Sequence, residues 1–500
     1  MTPPSLLATA IVLALSAATT LPAHAAPRAG AATASATEHS YDPTLNYDGG
    51  CVVTFQGHYY KAKWWANPGQ SPADIDASQP WNSPWEEVTE TTPGCGAGPG
   101  PVDPDPEPEP EPDPQQPVQI GLGTLLEQET RLTDFPLMQQ ALASIRTLPN
   151  ADVEAVEPLR AANPDNVRRV ESLVSAAQFE FIFPMRAPQY TYRGFLQAFA
   201  KFPAICASYP DGRDATAICR KTLATMVAHF AQETGGHDVH SAIPQWRQAL
   251  VHVREMGWRE DSADGYAGEC NPATWQGKTW PCGVFEAGPN AGRFKSYFGR
   301  GAKQLSYNYN YGPFSDAIFG NVRTLLDHPE QVADTWLNLA SATFFYMYPQ
   351  PPKPSMLHVI DGSWQPNARD ISNGLLPGFG VTTQIINGGV ECGGSAEHAQ
   401  SQNRIDYYRA AAAYFNVAVP GNEVLGCKGM KQFDEGGAGA LPIYWEENYD
   451  WVAGNVGGRS YQCKLVSYQT PYSALKPGDY VNCVIDKFPN VEVIDDLPAR

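Results

Sequence analysis

One stretch of this chain cannot pack, and it divides everything else. From Gly96 to Pro117 the sequence reads GAGPGPVDPDPEPEPEPDPQQP, proline alternating with acid. Proline fixes φ and removes backbone donors, and the like charges of Asp103, Asp105, Glu107, Glu109, Glu111 and Asp113 repel one another. The expected conformation is an extended polyproline spacer over 96–117 with no core. Folded-looking sequence flanks it on both sides. The 500-residue chain is therefore expected to carry a small module over 40–95 and a large one over 118–500.

The compartment is read from the first residues and the cysteines. An apolar run from Leu6 to Thr19 ends in Ala23-His24-Ala25, a small-x-small cleavage pattern, so residues 1–25 are expected to be a secretory signal peptide. The opening MTPPS departs from the rule in carrying no Lys or Arg. All ten cysteines lie beyond this segment, and an even set in an exported chain favours disulfides over thiols or metal sites. Spacing suggests five local pairs: Cys51 with Cys95, Cys206 with Cys219, Cys270 with Cys282, Cys392 with Cys427, and Cys463 with Cys483. Lys plus Arg number 34 against 53 Asp plus Glu, a formal net charge of −19. That balance repels nucleic acid and anionic membrane surfaces, and both are set aside as partners. A secreted, extracellular monomer is expected.

In the small module, CVVTFQGHYYKAKWW alternates around Gln56-Gly57 and reads as a β-hairpin. Tyr59, Tyr60, Trp64, Trp65, Trp81 and Trp85 are more large rings than so small a core can hold, so some should be exposed and able to stack on sugar faces. GHYYKAKWWANPGQSP resembles the chitin-binding module of carbohydrate-binding family 5/12. The resemblance implies a compact β fold that binds insoluble chitin, with Tyr60, Trp64 and Trp65 contributing to the sugar face. Whether Trp81 or Trp85 is the closing Trp of that pattern stays open.

In the large module, TLLEQETRL and PLMQQALASI read as framework helices. Over Lys221 to Thr234, Leu223, Met226, Val227 and Phe230 fall on one helical stripe, and Gly235-Gly236 supplies a stop. Glu233 then lies in the last turn. A carboxylate at the negative end of a helix, shielded by aromatic neighbours, should hold its proton more tightly than usual, which suits a general acid.

AQETGGH, SYFGRGAKQLSYNYNYG (296–312), PQPPKP (349–354), LLPGFGVTTQIINGGVECGG (375–394) and QNRIDYYR (402–409) together resemble the glycoside hydrolase family 19 chitinases over a core of about 221–427. The resemblance implies a mainly α-helical, lysozyme-like, two-lobed domain. It also implies endo-hydrolysis of β-1,4-linked N-acetylglucosamine with inversion and with no metal or other cofactor. By position in the motifs, Glu233 matches the general acid. Glu255 in HVREMGW is the best match to the general base, with Glu260, Asp261 and Glu269 as competitors. Ser306 matches a residue that holds the water. Thr234, Gln304, Tyr309, Asn310, Lys353, Asn387 and Arg404 match substrate-cleft positions, and Arg404 could instead orient a catalytic carboxylate.

Three letters depart from the family pattern. Gln232 stands where His is usual, and GRGPIQL is here GRGAKQL, with Ala302 and Lys303. His237 and His240 flank Asp238, but the preceding double Gly breaks the helix and no third ligand is evident, so a metal site is not expected. The expected function is a secreted endo-chitinase. A peptidoglycan hydrolase on the same fold and a non-catalytic chitin-binding lectin are the rivals; the retained Glu-Thr-Gly-Gly argues against the lectin. Residues 430–500 exceed the family core and have no assignment from sequence.

Overall fold

The computed structural model describes residues 40–45, 47, 50–64, 66–67, 69–75, 83–89, 118–441, 468–488 and 491–498. The expected signal peptide and spacer, together with Trp65, Trp81, Cys95 and Cys463, lie outside the described residues. The chain divides into two compact units, one within 15–113 and one built on 114–500.

In the small unit, β1 (Val52–Phe55) and β2 (His58–Ala62) form the expected antiparallel hairpin, and β3 (Trp85–Val88) pairs antiparallel with β2. The two turn residues have positive φ, 49° at Gln56 and 85° at Gly57, the geometry that matches strand twist in a two-residue hairpin. Alternation puts Val53 and Ala62 inside with Tyr47, Cys51, Ala66 and Trp85. Trp85 is 1% exposed, and its indole N–H donates to the Gln70 carbonyl at 2.7 Å. It is therefore a core ring. Trp64 is 46% exposed with the Lys63 ammonium 4.7 Å above its ring, and Tyr60 is half-buried against Phe55.

The large unit is mainly helical, as expected. Its central element is the Ala215–Thr234 helix, six residues longer at its start than the apolar stripe suggests. Asp214 caps it, accepting from the Thr216 and Ala217 N–H groups at 2.9 Å. Leu223, Met226, Val227 and Phe230 are buried as expected, but so are Ala224, Thr225, Ala228, His229 and Ala231. The helix runs through the core rather than along its surface. It ends at Gly235, which turns to extended backbone and where a Cβ would lie 2.1 Å from the Ala231 carbonyl oxygen. The Ala399–Tyr414 helix packs along it, and the Phe379–Glu391 helix lies against the latter.

The residues before and after the family-like core fold together. β4 (Val118–Gly121) pairs in parallel with β5 (Val491–Ile494), and the Leu122–Thr133 helix packs on the Asp479–Lys487 helix. A second core of Ile120, Leu125, Met138, Leu475, Tyr480 and Val484 results. The unassigned tail is thus half of a layer whose other half precedes the central helix.

Three disulfides join Cys206 to Cys219, Cys270 to Cys282 and Cys392 to Cys427, as the spacing predicts. Cys51 and Cys483 are also disulfide-bonded.

Candidate active site

Glu233 occupies the last turn of the central helix, its side chain only 7% exposed. Thr234 ties that turn to the next segment of chain. Its hydroxyl donates to the Phe230 carbonyl at 2.7 Å and accepts from the Leu250 N–H at 2.9 Å, while its carbonyl accepts the N–H groups of Val251 and His252. Thr234 is 1% exposed. Its hydrogen bonds are spent joining the helix end to the 250–252 segment, which leads directly to Glu255.

Glu255 is held from three directions. Its N–H donates to the Gly299 carbonyl at 2.8 Å, the Tyr266 hydroxyl donates to its Oε1 at 2.7 Å, and the Gly299 N–H donates to its Oε2 at 3.0 Å. Burial pushes the Tyr266 phenol up, which keeps it a donor. The approach is close: a Cβ on Gly299 would meet Gln304 Oε1 at 2.9 Å and Glu255 Oε2 at 3.3 Å. Two of the competing acids are engaged elsewhere. Glu260 is clasped by Arg254 and Arg300, and Asp261 pairs with Arg259 at the surface.

The turn over 304–307 and the start of the Asn308–Phe319 helix follow Gly299. Gln304, with φ 54°, donates to the Gly301 carbonyl; the Ser306 hydroxyl donates to the Gln304 carbonyl; the Asn310 amide donates to the Ser306 carbonyl. Tyr309 stacks on Tyr307 at 5.2 Å, and Tyr307 meets Tyr266 edge-on at 4.9 Å. Tyr307 has φ 69°, a costly conformation for an aromatic residue of the kind that clusters at functional sites. Asn310 Oδ1 accepts from Gln469 at 2.6 Å, so the C-terminal tail reaches the first turn of the Asn308–Phe319 helix, whose motif matches the cleft.

Around Glu233 lies a buried charge cluster. Arg404, 1% exposed, donates through Nη2 to Glu233 Oε1 at 2.6 Å and through Nε and Nη2 to Glu391 at 2.9 and 2.8 Å. Its Nη1 lies 3.0 Å from His229 Nδ1. A guanidinium only donates, so His229 Nδ1 accepts and the proton sits on Nε2, facing the Thr382 hydroxyl at 2.9 Å. Burial, with Arg404 and Lys303 nearby, holds His229 well below the usual imidazole range, hence neutral. Of the two roles open to Arg404, orienting a carboxylate fits this burial and substrate contact does not. Asn387 sits at a kink in the Phe379–Glu391 helix and donates to Glu391 Oε1 at 2.8 Å. Lys353 donates to the Ile385 carbonyl at 3.3 Å, and burial pulls its ammonium down to about 8, with Lys303 adding to the effect.

The expected proton affinity of Glu233 is corrected. Burial does push it up, but the charges of Lys303, at 4.0 Å, and Arg404, together with the Arg404 hydrogen bond, outweigh this and hold the carboxyl below the usual range. The rings of Phe230, Phe345 and Tyr346 line the same pocket, but the cations decide the direction.

Sequence reasoning missed Glu391, His229, Tyr266, Gly299 and Tyr307. Two of these had a signal, because His229 lies four residues before Glu233 and Glu391 four after Asn387, each pair sharing a helix face.

The family described as chitinase class I, glycoside hydrolase family 19, matches residues 183–427, a span that contains every residue of this cluster. An endochitinase of Solanum tuberosum is 37% identical over 248 residues, covering 49% of this chain and 68% of the relative. The chain belongs to glycoside hydrolase family 19. Endochitinase B of Nicotiana tabacum is 36% identical over 273 residues, covering 53% of this chain and 75% of the relative. Among solved structures, chitinase C from Streptomyces griseus is 21% identical, with a TM-score of 0.36, covering 78% of this chain and all of that one. As a family 19 member, the chain is a glycoside hydrolase.

Proposed function

We propose that this family 19 enzyme is a secreted endo-chitinase that cleaves β-1,4 N-acetylglucosamine linkages with inversion, with Glu233 as general acid and Glu255 as general base. One observation carries the reading. Two carboxylates in contrasting settings, Glu233 among cations and Glu255 on two neutral donors, are tied to one scaffold running from Thr234 to Gly299.

Inversion requires the acid to protonate the leaving oxygen from one face while the base activates water on the other, the carboxyls standing roughly 6.5 to 9.5 Å apart. Tyr266 and Gly299 occupy one lone pair on each Glu255 oxygen. The remaining pairs are left for the attacking water. Glu233 delivers its proton in the fraction of molecules that carry one, so turnover should favour acid pH.

The small unit, with exposed Trp64 and half-buried Tyr60, would anchor the enzyme to insoluble chitin. The acidic spacer would hold both units near the polymer and raise the local substrate concentration. Disulfides on the described residues agree with export. Trp64→Ala is expected to weaken adsorption to crystalline chitin by about tenfold, the loss of roughly 1.4 kcal/mol of stacking. Depletion assays measure this, with turnover of a soluble hexamer as the control.

The deciding test is NMR of product anomers immediately after mixing enzyme with N-acetylglucosamine hexamer. The α-anomer should appear first. Initial β-anomer would contradict inversion, and release of products from peptidoglycan but not from chitin would overturn the substrate.

A further inference from the structure

Lys303 is the letter at which this chain departs from the GRGPIQL pattern, and the structure puts it against Glu233. Its position is fixed by the backbone. Gly301 has φ 73°, and a Cβ there would lie 2.5 Å from the Asn338 carbonyl oxygen, so the loop presses onto the Leu337–Met347 helix. The Ala302 N–H donates to that same carbonyl at 2.7 Å, and Ala302 is fully buried. From this anchored turn the Lys303 side chain, 15% exposed, crosses the Phe345 ring at 4.7 Å and brings Nζ to 4.0 Å from Glu233 Oε2. The narrow pocket it enters is walled by Met226, Phe230, Phe345, Tyr346, Met356 and Ile386. Little solvent is there to screen the charge.

The charge balance of the cluster sets the effect of Lys303. Two cations, Arg404 and Lys303, face two carboxylates, Glu233 and Glu391. His229 on the central helix is neutral, and Lys353, His237 and His252 stand farther out around the same groups. With both lysine and arginine charged, Glu233 is held below its usual range. Remove the lysine and one negative charge is left over in a buried site, which a proton neutralises. Glu391 has three hydrogen bonds, two from Arg404 and one from Asn387, whereas Glu233 has one from Arg404. The proton therefore goes to Glu233.

We propose that Lys303 is a positioning residue that clamps Glu233 together with Arg404 and so confines hydrolysis by this enzyme to more acid pH than the apolar letter of the related motif would. Lys303 acts through the general acid, whose Oε2 lies 4.0 Å from its Nζ. The inference rests on Glu233 being that acid.

The test is the pH profile of kcat/KM on N-acetylglucosamine hexamer for the full chain, for Lys303→Ile and for Lys303→Arg. In Lys303→Ile the alkaline limb should move up by at least about one pH unit, the effect of removing one opposite charge at this range. Lys303→Arg should keep the limb within a few tenths of the parent. Lys303→Gln serves the same purpose as Lys303→Ile if the latter folds poorly. A limb that stays put in the uncharged variants, whether or not the rate falls, overturns the proposal, as does an arginine variant that shifts like the isoleucine one. A fall in rate uniform across pH would mark a purely structural role. Failure of the underlying reading is separate, because it would appear as hydrolysis surviving in Glu233→Gln.

Discussion

Glu233→Gln should lower kcat on N-acetylglucosamine hexamer by about 10³-fold or more, at the upper part of the range for losing a general acid, while adsorption of the full chain to insoluble chitin stays at the parent level. The amide is isosteric and can still accept from Arg404, so the helix end, Thr234 and the 250–252 segment remain in place. What it lacks is a proton to give to the leaving oxygen. Residual turnover within tenfold of the parent would rule Glu233 out as the acid. The variant should also change how stability responds to acid. Glu233 binds its proton less tightly folded than unfolded, so its contribution is present above the ordinary glutamate range and is lost as pH falls through the folded value. The Tm gap between parent and Glu233→Gln should therefore be largest near neutrality and close towards pH 3, as calorimetry at several pH values would measure.

How far the site was legible depended on the range over which each feature is determined. The central helix is local: its apolar spacing and the double glycine predicted Glu233 in the last turn, and the structure has it there. The β-hairpin is local too, since the strands meet through a two-residue turn. The electrostatics are not local. Glu233 and Arg404 lie 171 residues apart, and no spacing rule connects them, so the charge cluster that three packed helices and a loop assemble around Glu233 was not legible. Thr234 illustrates a second limit. A motif reveals that a residue matters near the acid, but not whether its hydroxyl faces the cleft or, as found, the backbone of the next segment. The terminal layer was illegible because β4 and β5 pair across 373 residues, and each strand alone is four residues of unremarkable pattern. Lys303 stood in plain view as a departure from the motif, yet its importance depends on the turn at Gly301 that aims it.

Arg404→Leu is expected to be the most destabilising single change in the site, costing about 3 to 5 kcal/mol at pH 7, the usual penalty for removing one partner from a buried ion pair. Arg404 is the only donor from its helix to Glu233 and Glu391 among the hydrogen bonds of the described residues, and His229 Nδ1 loses its donor with it. Lys303 then faces two buried carboxylates alone. Desolvation and mutual repulsion raise the proton affinity of both above their unfolded values. Groups raised in this way are least costly when protonated, so the variant should gain stability as pH falls from 7 towards 5, while the parent, whose Glu233 is held low, does not gain from this group. Opposite slopes of Tm against pH in that window are the signature to measure; parallel slopes would mean that the cluster is not the source of the loss. Arg404→Lys separates charge from geometry. It keeps the cation but cannot span Glu391 in two bonds and reach Glu233 and His229 at once, so it should recover the parent's slope more fully than its Tm.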